Sequence, residues 1–540
     1  MSGVWWCTTC QTPLMKRACE RCKSSSTTRV AADLVPVFRQ EMQLLRQKLG
    51  FGSLPMATPD FWLWSSGTVY YRCGRRVANM RYDSQGTPAL GKCDHAQLRN
   101  RALPHARLAS LVGRLQEANN TYLREIEDEA IRFIRNVVSR FPDHTIMVAF
   151  SGGKDSIVVS HLVRKALGRS NVLHLMADTT VEAPDTSRYV EQFRRDHPQI
   201  PFIVATPQNS FYTLAQEIGP PSRIIRWCCS SHKAAPMGNV VAALRSGCSG
   251  VLAFDGIREG ESARRRTYSR VTEKVKIAGE VLASPIKSWR AFDVWTYILT
   301  KSLPLNHGYK YGFRRMGCLP CPFNSNWSSF LIRELYQPDY ERWRGFLLEH
   351  ARRIGHPAPE GFAAGGWRLR AGGRGMDHAR ASIDKQVCLV EDRTFTYRLT
   401  RPYSDDLLEF LRPFGNVKVS NDDGVILQAE IVQGKAQSLF ARIKATRPRS
   451  MLRVTFAKTC NLRLSSQRFE KQLKRFQSCV LCGSCSSMCG PRAISVNGRY
   501  TVDAHKCVGC MACVCGSCIG IESFTRKGTA QKWSVCSGSV

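Results

Sequence analysis

Apolar residues recur at three- and four-residue intervals at Leu123, Ile126, Ala130, Ile134, Val137 and Phe141, which predicts one long amphipathic helix over about 119–141. After it the pattern changes to short apolar runs: TIMVAF from Thr145, NVLHLMAD from Asn171, FIVA from Phe202 and VLAFD from Val251. Runs this short, apolar on both faces and separated by helical stretches, predict an α/β domain with a parallel sheet covered by helices on both sides. Upstream, PVFRQEMQLLRQKLG has helical periodicity and ends on Gly50, and FWLWSSGTVYYR from Phe61 alternates as a small β-containing module does. Downstream, GFAAGGWRLRAGGRG from Gly361 reads as a linker or mobile loop. Between about Gln386 and Phe456, RTFTYRLT and GVILQAEIV predict strands and AQSLFARI a helix, giving a small α+β domain without a catalytic motif.

A chain of 540 residues exceeds one hydrophobic core and divides into several domains. No apolar run reaches the roughly 18 residues of a membrane span, and a cysteine cluster stands where a secretory signal needs an apolar core, so a cytoplasmic location is expected. The 23 cysteines fall mostly in tight pairs, which suits metal in a reducing compartment better than disulfides. The net charge of +35 attracts anionic nucleotides and polyanions alike, and does not choose between them.

Cys7-x2-Cys10 and Cys19-x2-Cys22 lie close enough to converge on one ion in a knuckle too small to fold without it. Zinc is the expected occupant; an iron–sulfur site or a redox dithiol stays open. Nine cysteines run as Cys479-x2-Cys482-x2-Cys485-x3-Cys489 and Cys507-x2-Cys510-x2-Cys513, followed by Cys515 and Cys518. This is the ligand pattern of a bacterial-type ferredoxin with two 4Fe-4S clusters, in which the fourth cysteine of each run serves the other cluster. Cys489 then joins Cys507, Cys510 and Cys513, while Cys479, Cys482 and Cys485 take either Cys515 or Cys518, of which Cys518 is preferred.

Ser151-Gly152-Gly153-Lys154-Asp155-Ser156 joins a predicted strand to a helix, offering backbone amides, a positive helix end and a lysine to a phosphate. The Walker spacing is absent. The hexapeptide resembles the PP-loop of the N-type ATP pyrophosphatases and sulfonucleotide reductases. Five further stretches are similar, in order, to the phosphoadenylyl-sulfate (PAPS) reductase branch: DTTVEAPDTSRYV from Asp178, RWCCSSHKAAPM from Arg226, DGIREGESARRR from Asp255, PIKSWRAFDVW from Pro285 and GCLPCPF from Gly317. Joined to a cysteine knuckle and a ferredoxin, the whole resembles multidomain archaeal-style reductase homologues. The implied organisation is a zinc-ribbon-like knuckle at 1–30, a small accessory α/β module at 31–118, the PP-loop domain at 119–345, a linker at 346–385, the α+β domain at 386–470 and the ferredoxin domain at 471–530.

The resemblance implies an adenine nucleotide (APS, PAPS or ATP) on residues 151–156, with Lys154, Lys233, Arg258 and Arg265 contacting its anionic groups and Arg223 and Arg226 completing a cationic shell. Glu261 and Ser262 then orient the arginines or the ribose, and Asp155 and Asp178 hold the ribose or magnesium. Cys228, Cys229, Cys318 and Cys321 ligate a further 4Fe-4S cluster, with zinc or a spare buried cysteine as the bland alternatives. The family's C-terminal Cys-Gly-Leu-His nucleophile is missing, and Cys536 is the candidate substitute. Reductive cleavage of an adenylylated sulfate is the first expected activity, with a soluble ferredoxin or thioredoxin as donor. ATP-dependent thiolation of a nucleic acid is the second, and an electron-transfer or regulatory subunit with an inactive nucleotide site the third. The sequence is silent on oligomeric state.

Overall fold

The computed structural model describes residues 3–50, 63–83, 86–94, 96, 108–273, 277–370, 378–400, 402, 404, 406–446 and 450–525. Cys536 lies outside the described residues. Among the described residues no helix is long and apolar enough to cross a membrane.

Strands β1 (Val4–Cys7), β2 (Thr12–Leu14) and β3 (Thr27–Ala31) form an antiparallel sheet ordered β2-β1-β3. Then β4 (Val35–Val37), β5 (Leu63–Ser66), β6 (Val69–Arg72), β7 (Arg75–Tyr82) and β8 (Pro88–Cys93) make a five-stranded antiparallel meander. Between β4 and β5 the helix Arg39–Leu49 is stopped by Gly50 in the left-handed region (φ 64°). Its buried Glu41 carboxylate meets Arg314 of the central domain at 2.7 Å. Phe38 packs on Trp295 and Trp64 on Phe292 at 5.7 and 5.6 Å, so this module shares a core with its neighbour.

The central sheet contains β9 (His144–Ala149), β10 (Leu173–Ala177), β11 (Phe202–Ala205), β12 (Gly250–Phe254), β13 (Val271–Thr272) and β14 (Glu280–Ala283), ordered β11-β10-β9-β12-β14-β13. All pairings are parallel except that of β13 at the edge. Alternation along the strands decides what each face covers. Val148, Leu252 and Phe254 pack with Ala130, Ile134 and Val137 of the helix Asn120–Arg140 and with Ile157 and Val158 of the helix Lys154–Leu167. Met147, Val251 and Ala253 pack with Val241 of the helix Ala235–Leu244 on the opposite face.

Two expectations are corrected. Residues 361–370 are no linker: they form the helix Pro359–Ala364 and the turn Gly366–Leu369, because Phe362 and Trp367 are buried against the helix Gln337–Arg353. Trp367 meets Trp343 edge-on at 5.3 Å, and the Arg370 guanidinium donates to the Ile218 carbonyl at 2.8 Å. That helix also runs through the expected boundary at 345. The predicted helix at AQSLFARI is a strand, since Ala441, Ile443 and Ala445 are buried while Arg442 and Lys444 between them face solvent, a period of two.

That strand belongs to an antiparallel sheet of β15 (Asp384–Val387), β16 (Thr394–Arg398), β17 (Asn416–Asp422), β18 (Ile426–Gln433), β19 (Ser438–Thr446) and β20 (Met451–Phe456), ordered β15-β16-β20-β19-β18-β17. One face packs on Phe469, Leu473 and Phe476 of the helix Leu462–Ser478, and the same core takes in Ile494 and Val496 of β21 (Ile494–Asn497) and Tyr500 and Val502 of β22 (Arg499–Val502) in the cysteine-rich end. The cysteine-rich end also reaches the central domain. Val480, Ile519 and Phe524 share a cluster with Phe211 and Trp227, and the Ala278 amide donates to the Ser487 carbonyl at 3.1 Å.

At this contact a side chain on Gly238 would place its Cβ 2.7 Å from Ser487 Cβ, closer than two carbons approach. Gly238→Val is therefore expected to loosen the docking at a cost of about 1–3 kcal/mol. The check is the urea midpoint together with the rate of tryptic cleavage near residue 378, which should rise.

Candidate functional site

The loop after β9 lies at the C-terminal edge of the sheet, where parallel strands present their ligands. Gly152 takes φ 68°, and a Cβ there would meet Val190 and Thr186 at 3.2 and 3.3 Å, so glycine fits both the backbone and the space. The first turn of a helix leaves amides without intrahelical partners. Here the Lys154 amide donates to Tyr309 Oη at 3.0 Å, and the Ser151 amide to Ser156 Oγ at 3.2 Å. Asn306 Nδ2 holds the Gly152 carbonyl at 3.4 Å.

Behind the loop is a charged triad. Lys154 Nζ lies 2.7 Å from Asp155 Oδ2, and Arg258 Nε 2.7 Å from Asp155 Oδ1, with all three side chains largely buried. Burial alone would raise the Asp155 carboxyl; Lys154 and Arg258 outweigh it and hold it below the usual carboxylate range. Each carboxylate oxygen already holds a cation, which makes Asp155 a counter-ion rather than a free ligand for magnesium or ribose. Asp178 Oδ1 accepts from the Thr180 amide at 2.8 Å in a local turn.

Cys228 and Cys229 open a helical stretch, Trp227–Cys229, that widens into a π turn over Ser230–Ala234. Cys318 and Cys321 arrive on a separate segment, tied down by a bridge between Glu182 and Cys318 and by Leu319 donating to the Val181 carbonyl at 2.9 Å. The two pairs lie near one another, close enough for Cys229, Cys318 and Cys321 all to raise the Cys228 thiol. The quartet adjoins the nucleotide loop through β10, whose end leads into Thr179, and Thr179 Oγ1 is 3.3 Å from Cys318 Sγ. Cys229 is lowered to about 5, first by its hydrogen bond from Cys228, then by Arg226 and Lys233. Burial and Glu182 push Cys318 up to about 12.

Residues 145–324, which hold the loop and both cysteine pairs, match the phosphoadenosine phosphosulfate reductase domain. The central domain belongs to the phosphoadenosine phosphosulfate reductase family. An uncharacterized protein of Methanocaldococcus jannaschii is 34% identical over 254 residues, 47% of this chain and 51% of its own length. The chain thus spans about half of that relative. The adenosine 5'-phosphosulfate reductase of Geobacillus sp. (strain WCH70) is 25% identical over 183 residues, 33% of this chain and 72% of that enzyme. Among solved structures, the phosphoadenylyl-sulfate reductase of Candida auris in its phosphate complex aligns over 37% of this chain and 95% of its own, at 16% identity and a TM-score of 0.29.

The cationic residues of this reductase-family domain surround the same edge. Lys233, on the π turn, has its ammonium favoured first by Cys318, against burial, and then by Glu182 and Cys229. Arg226 lies 4.8 Å over the Phe323 ring with Nη2 3.5 Å from Cys229 Sγ, and Arg223 Nε donates to the Pro322 carbonyl at 3.1 Å, so both arginines clamp the Cys318–Cys321 loop. Glu261 accepts from the Arg258 amide at 3.0 Å and pairs with Arg265, while Ser262 Oγ caps the following turn by accepting from the Arg265 amide at 3.2 Å. Glu261 and Ser262 thus orient arginines. Tyr309, Asn306, Thr179 and Glu182 were not among the residues expected from sequence; only the helix-capping Asn306-x-Gly308 pattern was a signal that could have found one of them.

Two further cysteine groupings stand apart. The sulfurs of Cys7, Cys10, Cys19 and Cys22 lie within 4.8 Å of one another, with Cys7–Cys22 at 3.5 Å and Cys10–Cys19 at 3.8 Å. A tetrahedral zinc with Zn–S of about 2.3 Å sets its sulfurs about 3.8 Å apart, so the donor set fits one such ion. In the C-terminal unit Cys485 senses Cys482, Cys479 and Cys518, whereas Cys513 senses Cys489, Cys507 and Cys510. Eight of the nine cysteines therefore sort into two groups of four, with Cys518 beside the first and Cys515 in neither.

Arg258→Met would leave Asp155 buried against Lys154 alone, and a cost of about 3–5 kcal/mol in urea denaturation is expected. Because the folded pKa of Asp155 is depressed, its stabilising contribution is complete above the unfolded carboxylate pKa near pH 4 and is lost as pH falls through the folded value. Removing Arg258 raises that folded value, so the acid-unfolding midpoint should move to higher pH.

Proposed function

We propose that the chain is an iron–sulfur oxidoreductase that cleaves an adenylylated sulfate, APS or PAPS, to sulfite and the free nucleotide. The observation that carries this reading is the approach of Cys228 and Cys229 to Cys318 and Cys321 on the edge that carries the PP-loop, with Lys233 and Arg226 beside them. Four thiolates without histidine suit a 4Fe-4S cluster, whose corners hold ligand sulfurs further apart than one ion does. The N-terminal four, with sulfurs within 4.8 Å of one another, suit zinc.

In this reading Gly152, Gly153 and the first turn after Lys154 receive the nucleotide phosphate. Arg265, oriented by Glu261, and Lys233, held over Cys318, neutralise the sulfonyl end. The Cys536 thiolate attacks the sulfonyl sulfur, the S–O bond to the nucleotide breaks and the bridging oxygen leaves on the phosphate. Two electrons then cleave the Cys536–sulfonate S–S bond, releasing sulfite and restoring the thiolate. The clusters, when bound, supply one-electron transfer from a reduced ferredoxin or thiol protein. ATP-dependent sulfur transfer to a nucleic acid is the second reading, favoured by the net charge of +35.

The deciding experiment is anaerobic incubation of the reconstituted protein with APS, PAPS or ATP, measuring sulfite, AMP and pyrophosphate. Sulfite with free nucleotide is the expected result; pyrophosphate from ATP without sulfite would replace the first reading by the second. Lys233→Ala should lower kcat/KM about 10- to 100-fold, the worth of one charge-assisted contact. Cys536→Ser should abolish turnover while leaving nucleotide binding intact.

A further inference from the structure

The helix Leu462–Ser478 packs under the sheet of β15–β20, yet its last turns point two cations into the cysteine-rich unit. Arg475 is 4% exposed and Lys471 5% exposed. Arg475 donates through Nη1 to the Cys513 carbonyl and through Nη2 to the Gly516 carbonyl at 2.7 Å, and Lys471 Nζ donates to the Cys515 carbonyl at 2.7 Å. These acceptors lie on one short segment whose ends carry Cys513 of one quartet and Cys518 of the other. Arg475 also lines the same cavity as Cys479, Cys482, Cys485 and Cys518.

A buried guanidinium is costly unless an anion compensates it. Among the described residues no carboxylate forms an ion pair with Arg475, and its Nε is buried without a hydrogen-bond partner. Carbonyl dipoles satisfy only part of the group. Glu522 interacts with it without forming an ion pair; the further negative charge is what two cysteine-ligated clusters would bring, and reducing either one adds another.

We propose that Arg475, supported by Lys471, is the resident counter-cation of both C-terminal clusters and raises their reduction potentials. The inference rests on the reading that these quartets hold 4Fe-4S clusters. A fixed positive charge in a water-poor site favours the more negative redox state, so Arg475 makes the unit a better electron acceptor and ties its potential to a helix outside it. Both clusters shift together, because one guanidinium faces both.

The test is a potentiometric titration followed by electron paramagnetic resonance on the reconstituted full chain, in a Cys321→Ser background that removes a ligand of the central quartet. Arg475→Met at wild-type iron content should leave both C-terminal clusters at least tenfold harder to reduce, a fall of about 59 mV for a one-electron couple. Unchanged potentials at full iron content would overturn the proposal. If Arg475→Met fails to retain iron, Arg475→Gln decides: it is neutral but keeps an amide donor for the same carbonyls. A downward shift there supports the proposal and no shift overturns it. Absence of iron from the C-terminal cysteines of the parent protein would instead sink the cluster reading itself.

Discussion

A carboxylate held between two buried cations fixes the geometry on which the central domain depends. Asp155 belongs to the loop after β9, Arg258 to the segment after β12, and their contact at 2.7 Å sets the phosphate cradle against the arginine-bearing turn that follows it. Buried ion pairs contribute less to stability than to geometry, since desolvation offsets most of the attraction. The value of the triad is therefore positional. Glu261 extends the chain of contacts from the Arg258 amide to Arg265, so one set of charges carries register from the loop to the outer edge of the site.

The cysteine groupings follow a different logic. Cys7 to Cys22 and Cys479 to Cys518 are local, and short spacing alone can gather them. Cys228 and Cys229 meet Cys318 and Cys321 only because β10, the bridge at Glu182 and the π turn bring two remote segments to the same edge. The C-terminal unit is docked on the same region, through Val480 and Phe524 against Trp227 and through Ser487 against Gly238. Trp227, the residue preceding the tandem cysteines, is thus part of the contact that seats the cysteine-rich C-terminal unit.

The central strands were legible because a parallel sheet buried on both faces leaves continuous apolar runs. The strand Glu280–Ala283 carries little signal, because a charged residue opens a run of four. AQSLFARI was misread because its alternation begins late, after polar turn residues, and the stretch from Gly361 was misread because its glycines outweighed two aromatic anchors, Phe362 and Trp367. The cysteines and the loop could be named from spacing and resemblance. Tyr309 and Asn306 could not, since they reach the loop from about 150 positions away and nothing local marks them.

The π turn at Ser230–Ala234 carries a consequence for how the site tolerates change. An extra residue in one turn advances everything after it by about 100° around the helix axis. Lys233 thereby faces Cys318 while Ala235 and Gly238 remain turned toward the C-terminal unit. Shortening that turn by one residue would swing both sets of neighbours at once, so a single indel in this stretch would disturb the Lys233–Cys318 approach and the interdomain fit together.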